Sequence, residues 1–171
     1  MSLVEADNEN TLQISPRSFV DSALFDRTFD EGMSLVEETA RYLDGRGREE
    51  SRTLSRSAAL LYAGESMRVT TRLMQAASWL LIQRAVREGE IRAEDAASER
   101  YRLGSKEICF GGRGESVELL PQTLCDLLDR SEHLYRRIAR LEEALLADTA
   151  AVKTPVQAHF ERLQQTYGEA V

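Results

Sequence analysis

Along residues 60–81 the apolar positions fall into two stripes rather than one. Leu60, Ala63, Met67, Thr70, Met74, Ala77 and Leu81 follow one another by alternating steps of three and four, and Tyr62, Val69, Leu73, Ala76 and Leu80 form an adjoining stripe. This spacing predicts a helix from about 54 to 88, stopping at Gly89, with Arg84, Glu88 and Glu90 putting its end in water. One stripe can pack on neighbours in the same chain while the other meets a further surface. Small residues at Gly64, Ala76, Ala77 and Ser78 permit close helix approach. The reading places a homodimer contact on this helix, with Leu73, Ala76 and Leu80 as its principal contributors.

Two more long helices flank it. Ser15 followed by Pro16 makes a capped start, and Phe25, Phe29, Val36 and Leu43, with Leu24, Leu35 and Tyr42 beside them, carry helical spacing over 16–44. Gly45 and Gly47 then end the helix. The third helix, 120–147, has the most regular pattern: Leu120, Leu124, Leu127, Ser131, Leu134, Ile138, Leu141 and Leu145, with charges between. Between the second and third helices, a short helix begins near Arg92. The stretch 104–118 is irregular, its flanks EICF and SVEL either pairing as a small hairpin around the glycines or remaining a loop. Residues 1–14 read as a disordered lead, and 149–171 as a mobile tail with a possible new helix start at Thr154-Pro155. Three helices, each about 40–50 Å long, cannot bury their stripes alone. The predicted fold is all-α, an elongated antiparallel three-helix bundle spanning 15–148.

Composition narrows the function. With 29 acidic against 22 basic residues the net charge is -7, which argues against a general nucleic-acid binder because phosphate backbones are held by clustered positive charge. Two cysteines, Cys109 and Cys125, form neither a disulfide framework nor a metal knuckle, and they suit a reducing cytoplasm. The start of the chain lacks a signal-peptide pattern, and no run approaches the roughly 18 apolar residues of a membrane helix.

Catalytic chemistry finds little support. A carboxylate-bridged metal bundle needs a histidine three residues after a glutamate. Here Arg130 precedes His133 and Val156 precedes His159 at that spacing, so Asp30, Glu31, Glu37 and Glu38 read as solvated helix carboxylates. FGGRGES lacks the lysine-then-hydroxyl ending of a phosphate loop. No enzyme, metal or cofactor is expected. One local charge feature stands out against the acidic balance: Arg46, Arg48, Arg52 and Arg56, beside Glu49 and Glu50, at the turn between the first two helices. Planar guanidinium groups recognise carboxylates with paired hydrogen bonds, so this corner is the candidate dock for an acidic partner.

Two blocks, RTFDEGMSLVEETARYLDGRGREESRTLSR at 27–56 and ESMRVTTRLMQAASWLLIQRAVREGE at 65–90, resemble the RcdA family of alphaproteobacteria, the regulators of CtrA degradation. The resemblance implies a dimerising three-helix bundle that acts as a non-catalytic adaptor for the ClpXP protease in the cell cycle. It also implies partners: the response regulator CpdR, the ClpX unfoldase complex, and cargo proteins or the further adaptor PopA. No individual site residue is carried over. The rival reading is an acidic helical transcription-regulating module, which would need the arginine-bearing second helix to meet DNA.

Overall fold

In this computed structural model the described residues are 19–112 and 117–167, with side chains described as far as Ala150. Three long helices dominate them: α1 Ala23–Asp44, α3 Arg56–Arg87 and α6 Gln122–Tyr167. Three short helices fill the connections: α2 Arg46–Thr53, α4 Ala93–Ala96 and α5 Lys106–Phe110. Single 3-10 turns lie at Glu99–Tyr101 and Val117–Leu119, and no strand occurs among the described residues.

Local chemistry sets the helix starts. Ser22 caps α1 by accepting the Phe25 N–H at 3.4 Å, and Ser55 caps α3 by accepting the Ala58 N–H at 3.3 Å. The break at Asp21–Ser22 puts the start of α1 at Ala23 rather than Pro16, and the expected cap at Ser15 lies outside the described residues. Phe19 and Val20, before the break, are buried, and the Phe19 ring meets Phe25 edge-on at 5.9 Å. At the other end, α6 does not stop near 147. It continues through Thr154 and Pro155 to Tyr167.

The corner between α1 and α3 differs from the open turn expected of it. Residues 46–53 are helical, and Gly47 lies inside α2 rather than ending α1. A Cβ on Gly47 would lie 2.5 Å from the Tyr62 hydroxyl and 2.7 Å from the Tyr42 ring, so the glycine lets α2 sit directly on two tyrosines. The segment 104–118 is also not a hairpin. EICF falls within α5 and Val117–Leu119 within a 3-10 turn.

Contacts reveal the direction of each helix. Arg87 pairs with Asp26 at 2.7 Å, while the Tyr42 ring and the Tyr62 hydroxyl meet at Gly47, so α1 and α3 are antiparallel. Arg130 pairs with Glu38 and Arg137 with Glu31, so α1 and α6 are antiparallel too. That pair and the third both depart from the expected alternation, in which α1 and α6 run parallel and α3 and α6 antiparallel. Arg72 reaches Leu128, whereas Trp79 and Gln83 line a common cavity with Glu142 and Leu145; α3 and α6 therefore run in the same sense. Residues 88–112 make this possible by travelling back along α3, from its end at Arg87 to Arg72 and Arg68.

That returning segment has little regular backbone pairing of its own, so side chains of the long helices satisfy it. Glu142 accepts the Leu103 N–H at 2.7 Å, and Gln75 accepts the Gly104 N–H at 2.8 Å. The buried Arg72 donates from Nε to the Cys109 carbonyl at 2.8 Å and from Nη1 to the Leu128 carbonyl at 3.3 Å. Burial lowers the pKa of its guanidinium, an effect opposed by Glu132. Arg68 Nη1 donates to Ile108 and Gly111 carbonyls at 3.1 and 2.8 Å. The core itself lies among α1, α3 and α6, with Phe25, Leu35, Val69, Leu80, Leu124, Leu128, Leu134 and Ile138 fully enclosed.

Candidate docking surfaces

Two exposed features on this frame are suited to binding other proteins: one face of α3 and the α2 corner. On α3, the stripe through Tyr62, Val69, Leu73, Ala76 and Leu80 is the inward one. Leu73, Ala76 and Leu80, the expected contact residues, are buried in the chain's own core. The other stripe is outward: Leu60, Met67, Met74 and Leu81 are 77, 68, 64 and 51% exposed. Ala63, Gly64, Thr70 and Ser78 between them are also exposed.

The outward stripe has a heptad repeat of large residues, the pattern of a coiled-coil seam. It also mirrors itself in sequence. About the Thr70–Thr71 bond, Leu60 reflects onto Leu81, Ala63 onto Ser78, Gly64 onto Ala77 and Met67 onto Met74. A helix face with that symmetry fits a second copy of itself placed antiparallel, where each large residue meets its counterpart across a two-fold axis. Gly64 agrees with this. Nothing lies within 4 Å of where its Cβ would be, so no contact within the chain requires a glycine there. Beside the seam, a groove of about 440 Å³ between α1 and α3 is lined by Val36, Ala40, Leu43, Met74, Ala77 and Leu81.

At the corner, α2 is held rigidly and presents cations. Tyr42 donates to Glu50 at 2.9 Å, and Arg46 Nε donates to the other oxygen of that carboxylate at 2.7 Å. Burial, with the Glu50 hydrogen bond, drives the Tyr42 phenol far above its ordinary pKa, so it stays a donor. Arg46 is thereby neutralised. Arg48, Arg52 and Arg56 are exposed and form no ion pair among the described residues. Arg48 and Arg52, four apart on one helix, share a face. The structure therefore divides the four arginines into one anchor and three available cations.

Other candidate groups have ordinary roles. His133 is exposed and its Nδ1 lies 2.8 Å from the Asp129 carbonyl, while burial pushes the Cys109 thiol pKa up, away from reactivity. Among the described residues no cluster of three or more histidine, cysteine or acidic side chains is placed to hold a metal. None of the described helices is long and apolar enough to cross a membrane.

A family model described as "Protein of unknown function (DUF1465)" matches residues 16–167. Among solved structures the chain is similar to that of RcdA from Caulobacter crescentus CB15, with 55% identity and a TM-score of 0.63, covering 77% of this chain and 98% of that one. The chain belongs to the RcdA family. No curated protein matches it. Of the two blocks that carry the RcdA resemblance, 27–56 holds the arginine corner and 65–90 holds most of the outward seam. The stripe expected to meet a second copy lies in the chain's own core, and the adjoining stripe is the one left outward.

Proposed function

We propose that this RcdA-family protein is a dimeric, non-catalytic adaptor of regulated proteolysis, bringing cargo to a ClpXP-type protease together with a response regulator in the cell cycle. Kinship with RcdA at 55% identity supports the pathway. The observation that carries the mechanism is the separation of two surfaces: an apolar self-complementary seam on α3 and a cationic corner on α2. The seam joins two copies. The dimer then presents two corners, and the second binding event at a shared partner becomes intramolecular, raising effective concentration without new contacts.

The corner suits an acidic receiver domain of the CpdR type, and the remaining surface is left for the ClpX complex and for cargo or a PopA-like adaptor. Arg48, Arg52 and Arg56 supply the charge, while Glu50, Tyr42 and Gly47 fix the helix that carries them. The test is reconstitution with unfoldase, protease, receiver protein and a degradable cargo. Arg48→Glu with Arg52→Glu is expected to leave the melting temperature within a degree or two, since exposed substitutions usually change stability by no more than ~0.5 kcal/mol. Receiver binding is expected to fall, most steeply at low salt where attraction is least screened. Unchanged binding at every salt concentration would remove the corner from the mechanism. Cargo degradation that proceeds equally well without this protein would overturn the adaptor reading.

A further inference from the structure

At the end of the bundle where α3 finishes, a cavity of about 250 Å³ lies between α3, α4 and α6. Val86, Leu145 and Leu146 give it apolar walls, with Ala93 and Ala97 closing one side. Two polar side chains of α3, Trp79 and Gln83, also line it, although they are only 3 and 8% exposed. Neither has a hydrogen-bond partner among the described residues, and neither has its polar atoms sealed away. A buried amide and a buried indole N–H without partners, on side chains that line the same cavity, are unusual, because enclosed polar groups are almost always paired.

The neighbouring charges separate into committed and available groups. Glu142 is committed: one oxygen takes the Leu103 N–H at 2.7 Å and the other lies 3.9 Å from Lys106. Arg87 is committed to Asp26 at 2.7 Å and lies over the Phe25 ring. Asp21 is at the rim, exposed to solvent. Arg102, also exposed, gives Nε to the Ala97 carbonyl at 3.3 Å and leaves its terminal nitrogens free of partners among the described residues. The unused groups are therefore mostly donors: the indole N–H, the Gln83 amide and the Arg102 fork.

We propose that this cavity binds a small amphiphile with an apolar body of about eight carbons and a carboxylate head, its volume lying just below the range of drug-sized ligand sites. The head takes hydrogen bonds from Gln83 and Arg102 beside the indole, and the chain lies against Val86, Leu145 and Leu146. This site is separate from the seam and the corner, and it does not depend on the adaptor reading.

Trp79 is the only tryptophan in the chain and lines this cavity, so its emission responds to a ligand bound there, and the cavity-filling variant below separates that signal from binding elsewhere around the ring. The experiment titrates the full-length protein with octanoate, octanol and octylamine below their aggregation concentrations, following tryptophan emission and melting temperature. Octanoate is expected to give a saturable emission change and to raise the melting temperature, because a ligand of the folded state stabilises it by mass action. Octanol is expected to bind at least tenfold more weakly, and octylamine to give no saturable change. Gln83→Leu and Arg102→Gln are each expected to weaken octanoate about tenfold. Ala97→Phe, which fills the cavity, is expected to abolish binding with unchanged circular dichroism. Met74→Ser on the exposed seam is expected to leave binding unaltered. Absence of a saturable octanoate signal would overturn the proposal. So would equal binding of all three amphiphiles, or full binding by a folded Ala97→Phe protein.

Discussion

Leu80 and Leu81 are neighbours in sequence and identical in chemistry, yet Leu80 is wholly enclosed and Leu81 is half exposed. The same contrast separates Leu73 from Met74, two turns earlier. Both members of each pair belong to an apolar stripe with helical period, so periodicity identifies two faces without ranking them. What ranks them is the third dimension. The inward face must meet α1 on one side and α6 on the other, and it is broad enough to include Glu65, Arg72 and Gln83. Those polar residues lie inside because each has a structural task or a cavity to face, and their polarity disguises the inward face as an outward one. The outward seam is narrow, purely heptad and free of such tasks.

The largest expected effect comes from breaking the inward face. Leu80→Glu leaves a charge without a partner in the core, at a cost of about 3–5 kcal/mol. The bundle is expected to lose its cooperative melting transition by circular dichroism. A folded Leu80→Glu monomer would mean that this side belongs to an interface between copies and not to the core. The outward face is expected to behave oppositely. Met67→Glu with Met74→Glu places like charges opposite each other in the proposed pairing, and sedimentation is expected to show a monomer of full helicity. Loss of helicity instead would show that the seam packs within its own chain.

A subtler substitution sharpens the comparison further. Because a side chain at position 64 meets nothing in the monomer, Gly64→Leu is expected to stabilise the isolated bundle by about 0.5–1 kcal/mol, the usual gain from removing a glycine inside a helix. In the proposed dimer the same side chain would stand between close-packed helices, so dissociation is expected at higher protein concentration than for the unaltered chain. Stabilisation without weaker association would remove the close approach at Gly64. The smallest effect concerns the ion pair of Glu38 and Arg130, which joins α1 to α6 at 2.7 Å away from both stripes. The Arg130 hydrogen bond holds the Glu38 carboxyl below its ordinary pKa. Its contribution is therefore present above the unfolded carboxylate pKa and is lost as pH falls through the lower folded value. Both side chains are about half exposed, so Glu38→Gln is expected to lower the melting temperature only slightly at neutral pH and not at all in acid.

Much of the architecture was legible in the sequence because long amphipathic helices repeat one signal many times. Leu124, Leu127, Leu134 and Ile138 mark the buried side of α6 unambiguously. The sense of α6 relative to α3 was not legible. It depends on where the 88–112 segment goes, and that path is held by Arg72, Gln75, Tyr135 and Glu142 reaching backbone groups far away in sequence. No local pattern encodes such contacts. The arginine corner was visible as composition, but its rigidity was not, since that depends on Gly47 fitting beneath Tyr42 and Tyr62. The choice between the two stripes of α3 was open to the same limit: exposure is a property of neighbours.

The central claim is that the outward seam of α3 pairs with its own copy in antiparallel register about Thr70 and Thr71. Site-directed crosslinking tests it most directly, in a background where Cys109 and Cys125 are replaced by serine. Mixing a Met67→Cys protein with a Met74→Cys protein is expected to give a mixed disulfide dimer rapidly under mild oxidation, while Met67→Cys alone links poorly. Efficient linking of Met67→Cys to itself, or no linking in either sample at concentrations where the unaltered protein sediments as a dimer, would contradict the account.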